Sequence, residues 1–167
     1  KQLRKFIEPF CGGLSVTSRV HMPTRIASDS CEALITLYKA LARGWSPPEI
    51  MTKAQWEGYR ELQDPKDPMT AFAGFGCSRS GVWFSAYVED YKYTDRRVPS
   101  AQAAANSLQN KMAKCEGVKF LTLDYSRVPC GDLVYCDPPY KGTRGYGAVE
   151  PWDAERFWVW AKEKSRT

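Results

Sequence analysis

Asp137-Pro138-Pro139-Tyr140 follows directly on the run Leu133-Val134-Tyr135-Cys136. Two successive prolines fix the backbone, so the Asp137 carboxylate and a following main-chain carbonyl project as two acceptors in a stiff arrangement. Two acceptors can hold both hydrogens of an amino group and leave its lone pair aimed at an electrophile. Tyr140 adds an aromatic face on which a planar ring can stack. The four residues therefore suit a planar amine, held and aimed. A Pro-Pro turn capped by Asp is the plainer reading of the same stretch.

The chemistry needs elements to position it. Arg4 to Glu8 reads as a strand running into Pro9-Phe10-Cys11-Gly12-Gly13, a double-glycine turn where backbone must come close to something. A second strand around Arg25 to Ser28 ends at Asp29. Leu34, Leu37, Tyr38 and Leu41 then repeat at helical spacing, with Gly44 to stop the helix. A crossover helix is expected between Gly13 and Arg25, shortened by Pro23. Asp29 stands where an acidic residue takes ribose hydroxyls in dinucleotide folds, and a plain helix N-cap is the alternative.

The middle of the chain differs in kind. Thr52-Lys53-Ala54-Gln55 has capping-box spacing and starts a helix carrying Trp56 and Tyr59. Gln63 to Met69 reads as loop. From Phe72 to Phe84 glycines alternate with aromatics, and Tyr87, Tyr91 and Tyr93 continue them among Lys92, Arg96 and Arg97. Basic residues among aromatics suit base stacking and phosphate pairing. Packing of those rings on the parent core competes with that reading. Ala101 to Cys115 reads as a helix, Lys119 to Thr122 and Leu133 to Cys136 as strands. A last helix, capped by Asp153, carries Phe157, Trp160 and Ala161 on one side.

Composition narrows the class. The chain has 167 residues, one domain's worth, with 24 Lys and Arg against 19 Asp and Glu for a net charge of +5. That balance is compatible with a polyanion partner. No apolar run approaches the roughly 18 residues a membrane helix needs, and no leader stands at the start, so a cytoplasmic location is expected. The six cysteines form no Cys-x-x-Cys pair and His21 is the single histidine, which excludes the usual zinc spacings, so no metal is expected.

Asp137 to Tyr140, together with Phe6-Ile7-Glu8-Pro9-Phe10-Cys11-Gly12-Gly13 and Asp29, resembles the Dam-type DNA adenine methyltransferases, phage-encoded members above all. Gly74-Phe75-Gly76-Cys77-Ser78 with Trp83-Phe84 is similar to the insert of the phage members. The resemblance runs from about Phe6 to Trp160. It implies an α/β fold of the Rossmann-like class I methyltransferase type, with a DNA-recognition insert, and S-adenosylmethionine as cofactor. It implies that Glu8, Pro9, Phe10, Cys11, Gly12 and Asp29 line the cofactor, with Asp124 and Tyr125 at its adenine. Asp137, Pro138, Pro139 and Tyr140 would be catalytic. Arg79, Trp83, Tyr87, Lys92, Arg96 and Arg97 would meet double-stranded DNA or a protein partner. Residues 1–44 would form the cofactor part, 45–98 the insert and 99–167 the catalytic part of the same domain.

Two departures from the family pattern bear on function. Leu14 stands where the family turn has glycine or another small residue, and leucine takes a positive φ only at a cost. The family's Gly/Lys motif ahead of the first strand and its later strands are not found, so an incomplete sheet of four strands, truncated at both ends, is expected. The implied activity is transfer of a methyl group to the exocyclic amine of a flipped adenine. The competing expectation is an inactive methyltransferase-like binding protein, such as an inhibitor of a host defence complex. RNA or a protein amide as acceptor is the third.

Overall fold

The computed structural model describes residues 2–93, 96–139 and 152–165, without the side chains of residues 91–97. Four strands form one parallel sheet: β1 (Lys5–Glu8), β2 (Thr24–Asp29), β5 (Lys119–Thr122) and β6 (Leu133–Val134). Their order across the sheet is β5-β2-β1-β6. A separate antiparallel hairpin joins β3 (Tyr91–Tyr93) to β4 (Arg96–Val98). The helices are α1 (Glu32–Ala42), α2 (Lys53–Leu62), α3 (Pro68–Ala71), α4 (Ser100–Ala113) and α5 (Ala154–Lys164).

The strand order reverses beside β1, since β2 lies on one side of it and β6, the last strand, on the other. In an open parallel sheet the crevice at that reversal, past the carboxyl ends of the strands, is where ligands bind. Residues 9–14 and 135–139 leave β1 and β6 at this place. The arrangement is Rossmann-like, as the sequence leads one to expect.

The sheet packs on both faces, which is why its central strand carries no polar alternation. Phe6 and Ile7 of β1 are fully buried. Ala27, Ile35, Tyr38, Leu14, Cys115 and Phe120 cluster under α1 and α4. Ile7, Ile26 and Val128 cluster on the other side, against Val134 and Trp160 of α5. Asp132 aligns β6 with β1 by accepting from the Arg4 and Lys5 amides at 3.0 and 2.9 Å.

Three local expectations need correction. The connection between Gly13 and β2 contains only a single 3-10 turn, Thr17–Arg19, in place of a crossover helix. The Glu8 carboxylate captures the Thr17 amide there, and Pro23 follows shortly after. Residues 63–69 are not all loop, because Asp67 caps a short helix through the amides of Met69 and Thr70. β6 stops at Val134, although the Tyr135 amide still reaches the Ile7 carbonyl at 2.9 Å.

The stretch expected as an insert has its own aromatic packing. Gly74 lies flat against the Trp83 ring, so near that a Cβ would sit 2.5 Å from it. Gly76 lies against Phe72 in the same way, a Cβ falling 2.9 Å from that ring. The glycines interleave with aromatics because the rings rest on bare backbone. Met51, Trp56, Phe72, Cys77 and Phe84 join Leu37 of α1 and Ala101 and Ala105 of α4 in one buried cluster.

Candidate functional site

The turn after β1 is held by hydrogen bonds from both strands and helices. The Cys11 amide donates to Ser28 O at 2.9 Å, and the Gly12 amide to Asp29 Oδ2 at 3.2 Å. Gly12 takes φ +40, which a residue without Cβ adopts cheaply. The Tyr38 hydroxyl, from α1, donates to Gly12 O at 2.6 Å. Lys111 Nζ, from α4, donates to Gly13 O at 2.7 Å. Leu14 closes the turn by donating its amide to Cys11 O at 2.8 Å, and it does so at φ +58. The side chain is buried against Cys11, Ile35 and Tyr38, so packing offsets a backbone cost of about 1–2 kcal/mol.

Two carboxylates stand behind this turn. Glu8, at the end of β1, is only 3% exposed and accepts from the Thr17 amide at 2.9 Å and from the Thr17 hydroxyl. Burial pushes its carboxyl up from the ordinary range, the Thr17 bonds oppose that, and the charges of Asp137 and Asp29 add to it. Asp29, at the end of β2, accepts from Gly12 through one oxygen and from the Cys31 amide at 3.0 Å through the other. Burial raises its carboxyl too, against the opposing backbone amides. Asp29 therefore ties the turn to Cys31, but Cys31 is the N-cap of α1 and no side chain caps that helix, so the plain N-cap alternative does not hold. The Cys11 thiol is pushed well up by burial and by these same two acids.

Asp137 is exposed and lies close enough for its charge to act on Glu8. The ends of β1, β2 and β6 thus bring Glu8, Asp29 and Asp137 to one edge of the sheet. Pro138 and Pro139 follow Asp137 as half-buried residues, and Tyr140 lies outside the described residues. Among the described residues no three His, Cys, Asp or Glu side chains are placed to share a metal ion. No helix among them is long and apolar enough to cross a membrane.

An aromatic group flanks the turn. The Phe10 ring stacks on Tyr125 with centroids 5.5 Å apart and planes 28° from parallel. Trp152 and Phe157 meet the edges of both rings, and Trp160 meets Tyr125. Among the described residues the buried Tyr125 hydroxyl has no hydrogen-bond partner. Asp124 caps the turn at Tyr125–Arg127 through the Ser126 amide and pairs with Arg156 at 3.3 Å. Its oxygens serve the protein's own groups in this arrangement.

The expected contact residues of the insert divide. Arg79 is exposed. Trp83 is half-buried between Phe75 and Phe84, and its indole N–H donates to Gln63 Oε1 at 3.1 Å. Tyr87 donates its hydroxyl to Met51 O at 2.5 Å beside Trp56. Both rings are thus engaged in internal packing. The side chains of Lys92, Arg96 and Arg97 lie outside the described residues.

Sequence reasoning missed Thr17, Tyr38 and Lys111, which hold the turn and its acid, and missed that Trp152 and Phe157 close on Phe10. Tyr38 was visible as a helix-face residue, but nothing local marked its hydroxyl. The family model described as D12 class N6 adenine-specific DNA methyltransferase matches residues 1–67. The match bears out the resemblance over the glycine turn, Asp29 and α1. The Asp137-Pro138-Pro139 stretch lies beyond it.

Proposed function

We propose that the chain binds S-adenosylmethionine at the Phe10–Leu14 turn and moves its methyl group to the exocyclic amine of an adenine flipped out of double-stranded DNA. The observation that carries the reading is the convergence of Glu8, Asp29 and Asp137 at the reversal point of a parallel sheet. The family match over residues 1–67 supports the cofactor half of it.

The residues present fit such a cofactor. A Cβ at Gly12 would meet nothing within 4 Å, so a ligand can approach that backbone. Asp29 keeps acceptor capacity beyond its amide bonds for vicinal hydroxyls, since a carboxylate offers about four lone-pair directions. Glu8 serves as the buried brace that holds Thr17 under the turn. Phe10, half-buried and backed by the buried Tyr125, would offer the apolar wall for a planar ring, with Asp124 at its margin. The cofactor, when bound, supplies a methyl group activated on a positively charged sulfur.

Asp137 then does the work of alignment. Its carboxylate accepts one N–H of the target amine, a main-chain carbonyl in the Pro138-Pro139 segment accepts the other, and Tyr140 stacks on the base. The lone pair of the amine that Asp137 holds would receive the methyl group that a bound cofactor supplies, and one amine proton would leave to solvent. No side chain needs to act as a strong base, so the gain comes from orientation and dipole placement. The insert, residues 45–98, would track the duplex through Arg79 and the basic hairpin, with Trp83 and Tyr87 shaping that surface from within.

The test is transfer of labelled methyl from S-adenosylmethionine to an adenine-containing duplex, against a duplex whose adenines already carry an N6-methyl group. Label in the first alone is expected. Binding of a partner without any transfer would favour the inactive binding-protein reading, for which the exposed apolar edge of Leu133 and Tyr135 is the supporting feature.

A further inference from the structure

Two neighbouring carbonyls of the turn are each held by a side chain from a different helix. Tyr38 of α1 takes Gly12 O, and Lys111 of α4 takes Gly13 O at 2.7 Å. Lys111 sits in the last turn of α4 and reaches the turn across 98 positions of sequence. The other end of α4 is tied to the insert. The Ser100 amide donates to Asp90 Oδ1 at 3.1 Å, and the Ser100 hydroxyl to Val88 O at 2.8 Å. Arg25 of β2 further fixes the helix's far end through Lys114 O and Glu116 O, at 2.9 and 2.6 Å.

We propose that Lys111 is a positioning residue that holds the Gly12–Leu14 turn in its cofactor-receiving shape. The inference rests on the cofactor reading above. Gly13 is exposed and Gly12 and Leu14 both have positive φ, so the turn has little regular structure to keep it in place. A strained backbone persists where its surroundings over-determine it. Lys111 supplies one of those constraints from a helix anchored at both ends. A lysine that merely brushes a surface carbonyl would leave the turn unchanged when removed.

The test uses the full chain and compares Lys111→Met, which keeps the stem and removes the ammonium, with Lys111→Arg. Lys111→Met is expected to raise the S-adenosylmethionine Kd and KM by about tenfold, with kcat at saturating cofactor and the KM for duplex within about twofold. Lys111→Arg should restore most of the loss. Amide hydrogen exchange at Leu14 should quicken by about tenfold in Lys111→Met, with the β1 and β2 amides unchanged. Unchanged cofactor affinity together with unchanged Leu14 exchange overturns the proposal. So does a loss of kcat without loss of cofactor affinity, or a general quickening of exchange across the sheet. If the unaltered chain takes up no S-adenosylmethionine, the methyltransferase reading fails by itself, and the Leu14 exchange still decides the role of Lys111.

Discussion

The Tyr38 hydroxyl lies 2.6 Å from Gly12 O, while the Gly12 amide on the same residue reaches Asp29. The two peptide units that meet at Gly12 are thus gripped, one from α1 and the other from the end of β2. Tyr38→Phe keeps the ring against Phe120 and removes the donor. A loss of about 0.5–1.5 kcal/mol in unfolding free energy is expected from denaturant titration, with a weakened cofactor response.

Leu14 offers a sharper comparison. Leu14→Ala keeps the left-handed backbone strain and opens a cavity under α1, at an expected cost of about 2–5 kcal/mol. Leu14→Gly removes more side chain and also removes the strain. Glycine should therefore be the milder substitution, by about 1 kcal/mol, although glycine is ordinarily the worse one. Equal or reversed midpoints in paired denaturation curves would show that φ +58 at Leu14 carries no cost.

That residue also marks the boundary of what the sequence makes legible. β1, β2, α1 and β5 follow from apolar runs and helical spacing, and the Thr52 capping box forms both of its bonds with Gln55. These are local signals. Leucine in a left-handed turn is decided by distant packing against Ile35 and Tyr38, which overrides the local preference for glycine. The missing crossover helix has the same origin, since a buried Glu8 takes the Thr17 amide away from any helix. Lys111 on Gly13 joins residues 98 apart, and the Phe10, Tyr125 and Trp152 group is assembled from three separate segments. The positions of Asp29 and Asp137 were legible because each follows a strand.

Glu8 predicts a pH dependence. Its folded carboxyl is raised by burial, from an ordinary value of 4.5, so the folded state holds the proton longer than the unfolded one. Stability from this group is therefore greatest below about pH 4.5. It falls as pH rises through the raised folded value, by at most about 1.4 kcal/mol per pH unit. Asp29 adds in the same direction. Glu8→Gln should flatten the fall, read as melting temperature against pH for both proteins. Parallel curves would contradict the assignment.

Gly74 tests the packing around Trp83. A Cβ there would meet the Trp83 ring at 2.5 Å, so Gly74→Ala should displace the indole and destabilise by about 1–3 kcal/mol. The displacement would alter Trp83 emission. Binding to a duplex should weaken with it, if Trp83 shapes the contact surface as proposed.

The most direct test of the account is Asp137→Ala, assayed for methyl transfer to an adenine-containing duplex with S-adenosylmethionine binding measured alongside. Asp137 is proposed to hold the target amine and not the cofactor. Turnover should therefore fall by at least about a hundredfold while cofactor affinity stays within about twofold. Full transfer by Asp137→Ala would mean that Asp137-Pro138-Pro139 is only a turn, and the methyltransferase reading of this site would fall with it.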